Sequence, residues 1–246
     1  MMRAHRPGGS PRRRQCHYVR CLGAALLALA GTVALPPAAG AQTTASDPLP
    51  GDAEASFAAG WLGGFSFGTA DANLRTRTGD DYLLFSTASK MGGAPVLEAR
   101  ASYALSRRYV LEGRFALSHP ELRTSVTSDV EGAPPLEAAE QIDQYTFGGA
   151  LMVMLPGVRA GSLLPFASVG AGYLRQLHEG LTLVEEGIAY HAGGGVRYGL
   201  FRRRQGLLES AGFRGEVRLD MMTGGIDLSD GPRAHVSASG GFFVTF

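Results

Sequence analysis

The chain has 246 residues, 45% apolar and 18% charged, with a mean hydropathy of +0.01 and a formal net charge of +1. That length and apolar content are ample for a core and exclude a disordered chain; the near-zero charge gives no reason to expect nucleic acid as a partner. Glycine, at 35 residues, is about twice as frequent as usual, without the Gly-X-Y period of collagen.

Residues 1–20 hold six arginines and no acid, and an apolar run of 15 follows from Cys21 to Leu35. Pro36-Pro37 ends the run and Ala39-Gly40-Ala41 supplies small residues. A basic start, a short apolar stretch and an A-x-A site predict a secretory signal over 1–41, cleaved after Ala41. The run is shorter than the ~20 residues a membrane-spanning helix needs. Cys16 and Cys21 leave with the signal, so no disulfide or thiol chemistry is expected in the mature chain. Six arginines leave too, and the charge becomes a net −5 against the 22 acids that remain. Residues 42–53, polar with two prolines, read as a linker.

From residue 54 onward the hydropathy period is two. The first segment, 54–67, sets Phe57, Trp61, Phe65 and Phe67 against Ser56, Ala58 and Gly60. Segments 96–105 and 109–118 follow, with Leu97, Tyr103, Tyr109, Leu111 and Phe115 on one face. Glu98, Arg100, Glu112 and Arg114 lie on the other. Segments 142–155, 163–177 and 188–200 alternate likewise, the last opposing Tyr190 and Tyr198 to His191 and Arg197. Segment 213–222 is the sharpest, with Phe213, Val217 and Leu219 against Arg214, Glu216, Arg218 and Asp220. Segment 233–246 places Gly240, Phe242, Val244 and Phe246 opposite His235, Ser237 and Ser239. Eight strands with one apolar and one polar face predict an all-β fold, an eight-stranded antiparallel up-and-down barrel. Two connections exceed twenty residues, 68–93 and 119–141, whereas those near Ser106-Arg107 and Pro156-Gly157 are short. Tyr82–Ser86 reads as part of a hairpin within the first long connection.

Alternation leaves two readings, a soluble lipocalin-like barrel with its apolar face inside, or a transmembrane barrel with it outside. Tyr103, Tyr109, Tyr198 and Phe246 fall near strand ends on the short-turn side, where an interfacial aromatic girdle would sit. The apolar face runs uninterrupted to the strand ends, and the opposite face combines small residues with complementary charges, which suits the narrow interior of eight strands. The membrane reading follows. For the hairpin joining the second and third segments, the charges favour the register that sets Glu98 opposite Arg114 and Arg100 opposite Glu112, because like charges across a strand pair are unfavourable.

The terminal Gly-Gly-Phe-Phe-Val-Thr-Phe, with Gly240, Phe242, Val244 and Phe246 on one face, resembles the C-terminal strand signal that the assembly machinery of bacterial outer membranes reads. With the strand count and unequal connections, residues 54–246 resemble the small eight-stranded outer-membrane barrels of the OmpA/OmpX type. The resemblance implies a bacterial outer-membrane location and contact with membrane lipid and lipopolysaccharide; the chain departs from OmpA in stopping at the barrel, so a peptidoglycan-binding domain is not expected.

Among chemistry-bearing groups the densest set is Glu98, Arg100, Glu112, Arg114, Arg197, Arg214, Glu216, Arg218 and Asp220. It reads as a network that fills and stiffens the bore, or as a narrow path for ions or small solutes. His235-Val-Ser237 resembles the His-x-Ser pair of outer-membrane lipid A deacylases, but no later carboxylate is placed to orient the histidine. His191 reads as a hydrogen-bonded filler, and Gly193–Gly195 as a small-residue patch in a curved strand. No catalytic, cofactor or metal site is expected. The long connections carry Asp71, Asp80, Asp81, Glu121, Asp129, Glu131, Glu137, Glu140, Glu179, Glu185, Glu186, Asp227 and Asp230, an acidic surface suited to divalent cations. Arg107, Arg108, Arg159 and Arg202–Arg204 lie on the short-turn side. The function expected is structural or surface-interacting, not enzymatic.

Overall fold

Alternating sequence becomes strand wherever one parity of side chains is buried, and here both parities find a use. The computed structural model describes residues 47–75, 81–127, 134–180, 183–203, 208–226 and 231–246, so the predicted signal lies outside the described residues. The strands are β1 (Ala53–Leu62), β2 (Phe65–Arg75), β3 (Asp81–Met91), β4 (Ala94–Ala104), β5 (Tyr109–Ser118) and β6 (Glu121–Thr127). They continue with β7 (Leu136–Gln141), β8 (Asp143–Met154), β9 (Leu163–Leu177), β10 (Val184–Arg202), β11 (Ser210–Gly224) and β12 (Arg233–Thr245).

Eight strands close into an antiparallel barrel in the order β1-β12-β11-β10-β9-β8-β5-β4, sealed where β1 pairs with both β12 and β4. The other four form a sheet in the order β2-β3-β6-β7. That order repeats β1-β4-β5-β8, because each of these strands prolongs a barrel strand past a break. The breaks fall at Gly63-Gly64, Gly92-Gly93, His119-Pro120 and Ile142. They stay hydrogen-bonded across the wall, Gly92 N–H to the Glu121 carbonyl (2.7 Å) and Ile142 N–H to the Pro120 carbonyl (2.9 Å).

Three sequence expectations change. Segment 54–67 is two strands: a Cβ on Gly63 would sit 2.5 Å from the Val236 carbonyl oxygen and one on Gly64 would sit 2.6 Å from that of Met91. Only glycine passes there, and the two residues reverse the inward parity. Phe65 and Phe67, assigned to the lipid face, therefore turn inward, Phe67 being buried. The long connections are hairpins, and Tyr82–Ser86 lies in β3, paired with β2 as expected.

The β4–β5 register is also corrected. Arg100 lies opposite Arg114, Glu98 opposite Ala116 and Glu112 opposite Ser102. The turn sets this register: the Ser106 hydroxyl accepts the N–H groups of Arg108 (3.2 Å) and Tyr109 (3.0 Å), and Leu105 N–H bonds the Tyr109 carbonyl (3.0 Å). Most of these charges are satisfied by β11 across the bore, Glu112 by Arg214, Glu98 by Arg218 and Arg100 by Glu216, while Glu98 and Arg114 keep a 3.7 Å contact within the strand pair.

The interior is layered. Ala104, Val110, Met152, Met154, Leu164 and Phe166 fill the short-turn end. Phe67, Met91, Leu122, Ile142 and Ile226, with Phe65 against them, fill the other end. Between these apolar layers the bore is ionic. Residues 47–52, read from sequence as linker, lie over the short-turn end. Gly51 N–H bonds the Ala104 carbonyl (2.9 Å), Arg202 donates to the Asp47 carbonyl (2.5 Å) and to the Asp52 carboxylate (2.9 Å), and Arg159 pairs with Asp47.

Candidate functional site

The ionic middle of the bore is built by inward parity on β1, β4, β5, β10 and β11. Five carboxylates (Glu54, Glu98, Glu112, Glu216, Asp220) and five guanidiniums (Arg100, Arg114, Arg197, Arg214, Arg218) project into it. All but Arg114 count among the buried residues, and the Arg114 side chain is itself only 7% exposed. The balance is neutral, as burial in a low-dielectric interior demands.

Glu98 is the hub. It pairs with Arg100 on its own strand, with Arg218 from β11, and with Arg114 at 3.7 Å. Glu216 gathers Arg214 at 2.8 Å, Arg100 at 3.1 Å and Arg218 at 3.4 Å, and accepts the Ser168 hydroxyl at 2.7 Å. Arg214 of β11 reaches Glu112 of β5, on the opposite side of the barrel. Arg197 binds Glu54 through both Nη atoms, at 3.0 and 2.5 Å. The guanidiniums also cover rings, Arg197 over Phe243 (4.1 Å) and Arg214 over Phe166 (4.7 Å). Eight of the nine predicted lumen charges thus join one network, and the ninth, Arg197, pairs with Glu54 beside it. Glu54 was missed by sequence, although its even number gave it the parity of Ser56 and Ala58.

Little space remains. The bore keeps one cavity of about 10 Å³ near Glu54 and Arg197 and one of about 30 Å³ bounded by Arg114, Asp220, Gln144 and His235. The second has room for about one or two waters and is lined by Arg114 and His235 nitrogens that make no hydrogen bond among the described residues.

His235 and Ser237 both face this interior. The Ser237 hydroxyl donates to Asp220, an earlier residue on β11, and His235 Nε2 stands 4.0 Å from the same carboxylate. Sequence had found no later carboxylate for this histidine; the barrel supplies an earlier one through the β11–β12 register, which sets Asp220 opposite His235. The hydroxyl's hydrogen bond goes to Asp220, and Phe65 stacks on the imidazole, 5.7 Å between centroids. His191 is buried opposite Asp220 on the neighbouring strand.

The outer wall is the reverse of a soluble surface. Phe57 is 73% exposed, Trp61 56% and Leu97 60%, with Leu111, Phe147, Phe213, Val217 and Val236 similarly bare. An apolar wall around an ionic centre is stable only against hydrocarbon.

No family model matches the sequence, and no curated protein does. Solved structures do. The outer membrane protein OprG from Pseudomonas aeruginosa aligns over 82% of this chain and 98% of its own, with a TM-score of 0.50 at 13% identity. The fold is that of a small outer-membrane barrel. Neisserial surface protein A aligns over 79% of this chain and 97% of its own (TM-score 0.43, 13% identity). The attachment invasion locus protein Ail of Yersinia pestis aligns over 80% and 100% (TM-score 0.37, 10% identity).

In this barrel Gly240, Phe242, Val244 and Phe246 lie on the outward, apolar side of β12 and its end. Phe242 is placed against both Phe57 and Phe213, and Phe246 N–H bonds the Ala53 carbonyl (2.8 Å). Tyr103, Tyr109 and Tyr198 are exposed at the short-turn rim. Trp61, Tyr145 and Tyr173 stand toward the other rim, a second aromatic set that sequence reading passed over because they sit inside long alternating segments.

The acidic residues of the long-connection end are dispersed. His119 pairs with Asp143 (2.7 Å), His178 with Glu140 (2.9 Å) and Arg123 with Glu121 (2.5 Å). The hydrogen bond from Arg123 holds the exposed Glu121 carboxyl below its ordinary range. Among the described residues no three metal-ligating side chains converge. Asp80, Asp129, Glu131, Asp227, Asp230 and Arg204 lie outside the described residues.

Proposed function

We propose that this protein is a sealed outer-membrane barrel with a structural and surface-presenting role, its eight strands anchoring the β2-β3-β6-β7 sheet beyond the lipid. The observation that carries the reading is the filled bore. An ionic centre with cavities of about 10 and 30 Å³ lies between two apolar layers, which supports a wall rather than a conduit. Its partners on this reading are membrane lipid and lipopolysaccharide, the assembly machinery that reads the last strand, and divalent cations at the acidic connections.

A lipid A hydrolase built on His235 and Ser237 gains no support: both groups face the bore, and Phe65 covers the histidine. A narrow pore is the reading to test against. In planar bilayers the purified protein should give no steady conductance, and discrete single-channel openings would replace the wall with a pore. Lipid A from expressing cells should keep its mass, whether or not His235→Ala is introduced.

A further inference from the structure

On the outer wall, Phe57 of β1, Leu97 of β4, and Phe115 and Leu117 of β5 surround a groove of about 530 Å³ floored by Ala59 and Ala99. Two residues along β1, Trp61 stands opposite Pro95, its indole nitrogen lying where a Cβ on Gly93 would be 2.8 Å away. Beyond the strand breaks, Gly64, Gly92 and Gly93 leave a second concavity of about 580 Å³, bordered by Lys90, Glu121 and Arg123. Both hollows thus lie on the same three strand tracks, apolar below, indole between, cationic above.

Lys90 of β3 and Arg123 of β6 are direct cross-strand partners. Each alternates with a residue buried in the mouth cluster, Met91 and Leu122, so both project from the outer face. Like charges placed opposite one another are destabilising. Glu121 offsets Arg123 from the same strand, whereas Lys90, the only lysine, has no ion-pair partner among the described residues. An anion between the two cations would relieve the opposition.

The spacing selects the anion's carrier. Arg123 lies six residues beyond Leu117, roughly 20 Å along the strand and roughly 14 Å along the membrane normal at the usual tilt. A single leaflet's hydrocarbon is about 15 Å deep, so chain groove and cations are one lipid apart.

We propose that this wall binds one phosphate-bearing lipid of the surrounding leaflet, its headgroup phosphate between Lys90 and Arg123 and an acyl chain in the groove over Ala59 and Ala99. Glu121 and Glu137 line the adjoining hollow with the cations, so the local cationic excess is small and a soluble polyanion is disfavoured. The inference rests on the membrane-spanning reading above.

Trp61 is the only tryptophan and reports on the site. The full protein is reconstituted in phosphatidylcholine containing brominated phosphatidylglycerol or, at equal mole fraction, brominated phosphatidylcholine. One unpaired surface cation enriches an anionic lipid about fivefold, so Trp61 should be quenched more strongly by the anionic lipid. Lys90→Gln with Arg123→Gln, both outside the barrel, should abolish the excess. Ala99→Leu should reduce it by filling the groove, and no change there would remove the acyl-chain half of the proposal. Equal quenching of the unmodified protein by the two lipids overturns the site. Loss of the excess on adding inorganic phosphate at constant ionic strength assigns the cations to a soluble anion and overturns the lipid. Heat-modifiable migration of the same samples is read separately; its absence would sink the membrane reading itself.

Discussion

The individual residues that matter most in this barrel are charged, and their energetics run opposite to those of a surface ion pair. An exposed pair is worth about 0–1 kcal/mol, whereas removing one partner of a buried pair strands the other and costs about 3–5 kcal/mol. Arg197 and Glu54 allow a clean test, because the pair is doubly hydrogen-bonded and stands apart from the Glu98 and Glu216 hubs. Glu54→Gln should lower barrel stability by about 3 kcal/mol, read as a reduced urea midpoint for folded migration. Arg197→Met alone should cost a similar amount. The two together should recover most of the loss, since no buried charge is then left without its partner, and strictly additive losses would contradict this account. Glu54 also marks where residue-level reading stops: its parity was visible in the sequence, but its partner is three strands away around the barrel.

At the scale of elements, the alternation made the eight barrel strands and their lipid-facing side legible, because period two is a direct consequence of strand geometry. Two features were not. The register of β4 against β5 was misread by treating the charges as a flat cross-strand problem; in a bore this narrow, Glu112 finds its cation on the opposite wall. The break at Gly63-Gly64 was missed because glycine fits either face of an alternating pattern and so hides a parity change. Glycine's positive role appears in β10. A Cβ on Gly195 would lie 2.0 Å from the Gly215 carbonyl oxygen and 2.7 Å from the Phe166 ring, so its bareness makes room for the apolar layer. Gly215, on the lipid side of β11, would meet nothing within 4 Å. Gly195→Ala should therefore cost on the order of 1–3 kcal/mol through overpacking, while Gly215→Ala should stay within about 0.5 kcal/mol. Paired refolding titrations of the two variants check this, and equal costs would mean that the close approach is not the reason for glycine here.

For the whole molecule, the division between barrel and outer sheet has a mechanical consequence. The eight barrel strands close their hydrogen-bond cycle without β2, β3, β6 or β7. The outer sheet contributes to the barrel chiefly through Phe67, Met91 and Leu122, which sit in the mouth cluster with Ile142 and Ile226. Everything in the first hairpin beyond Phe67 and Lys90 is thus dispensable to closure, even though β2 and β3 are as long as β1, β4 and β5. Deleting residues 68–89 and joining the ends through a two-residue Asn-Gly turn should leave a protein that still inserts and migrates as a folded barrel before boiling. Its unfolding free energy should lie within about 1 kcal/mol of the parent, since loop length enters closure entropy only logarithmically. Met91→Ala in the intact chain should be far more damaging, about 2–5 kcal/mol, because it opens a void in a layer that seals the bore. The two variants separate the display element from the seal. If the short deletion prevented folding while Met91→Ala did not, the hairpin would be part of the barrel's own stability and the anchor-and-display division would fail.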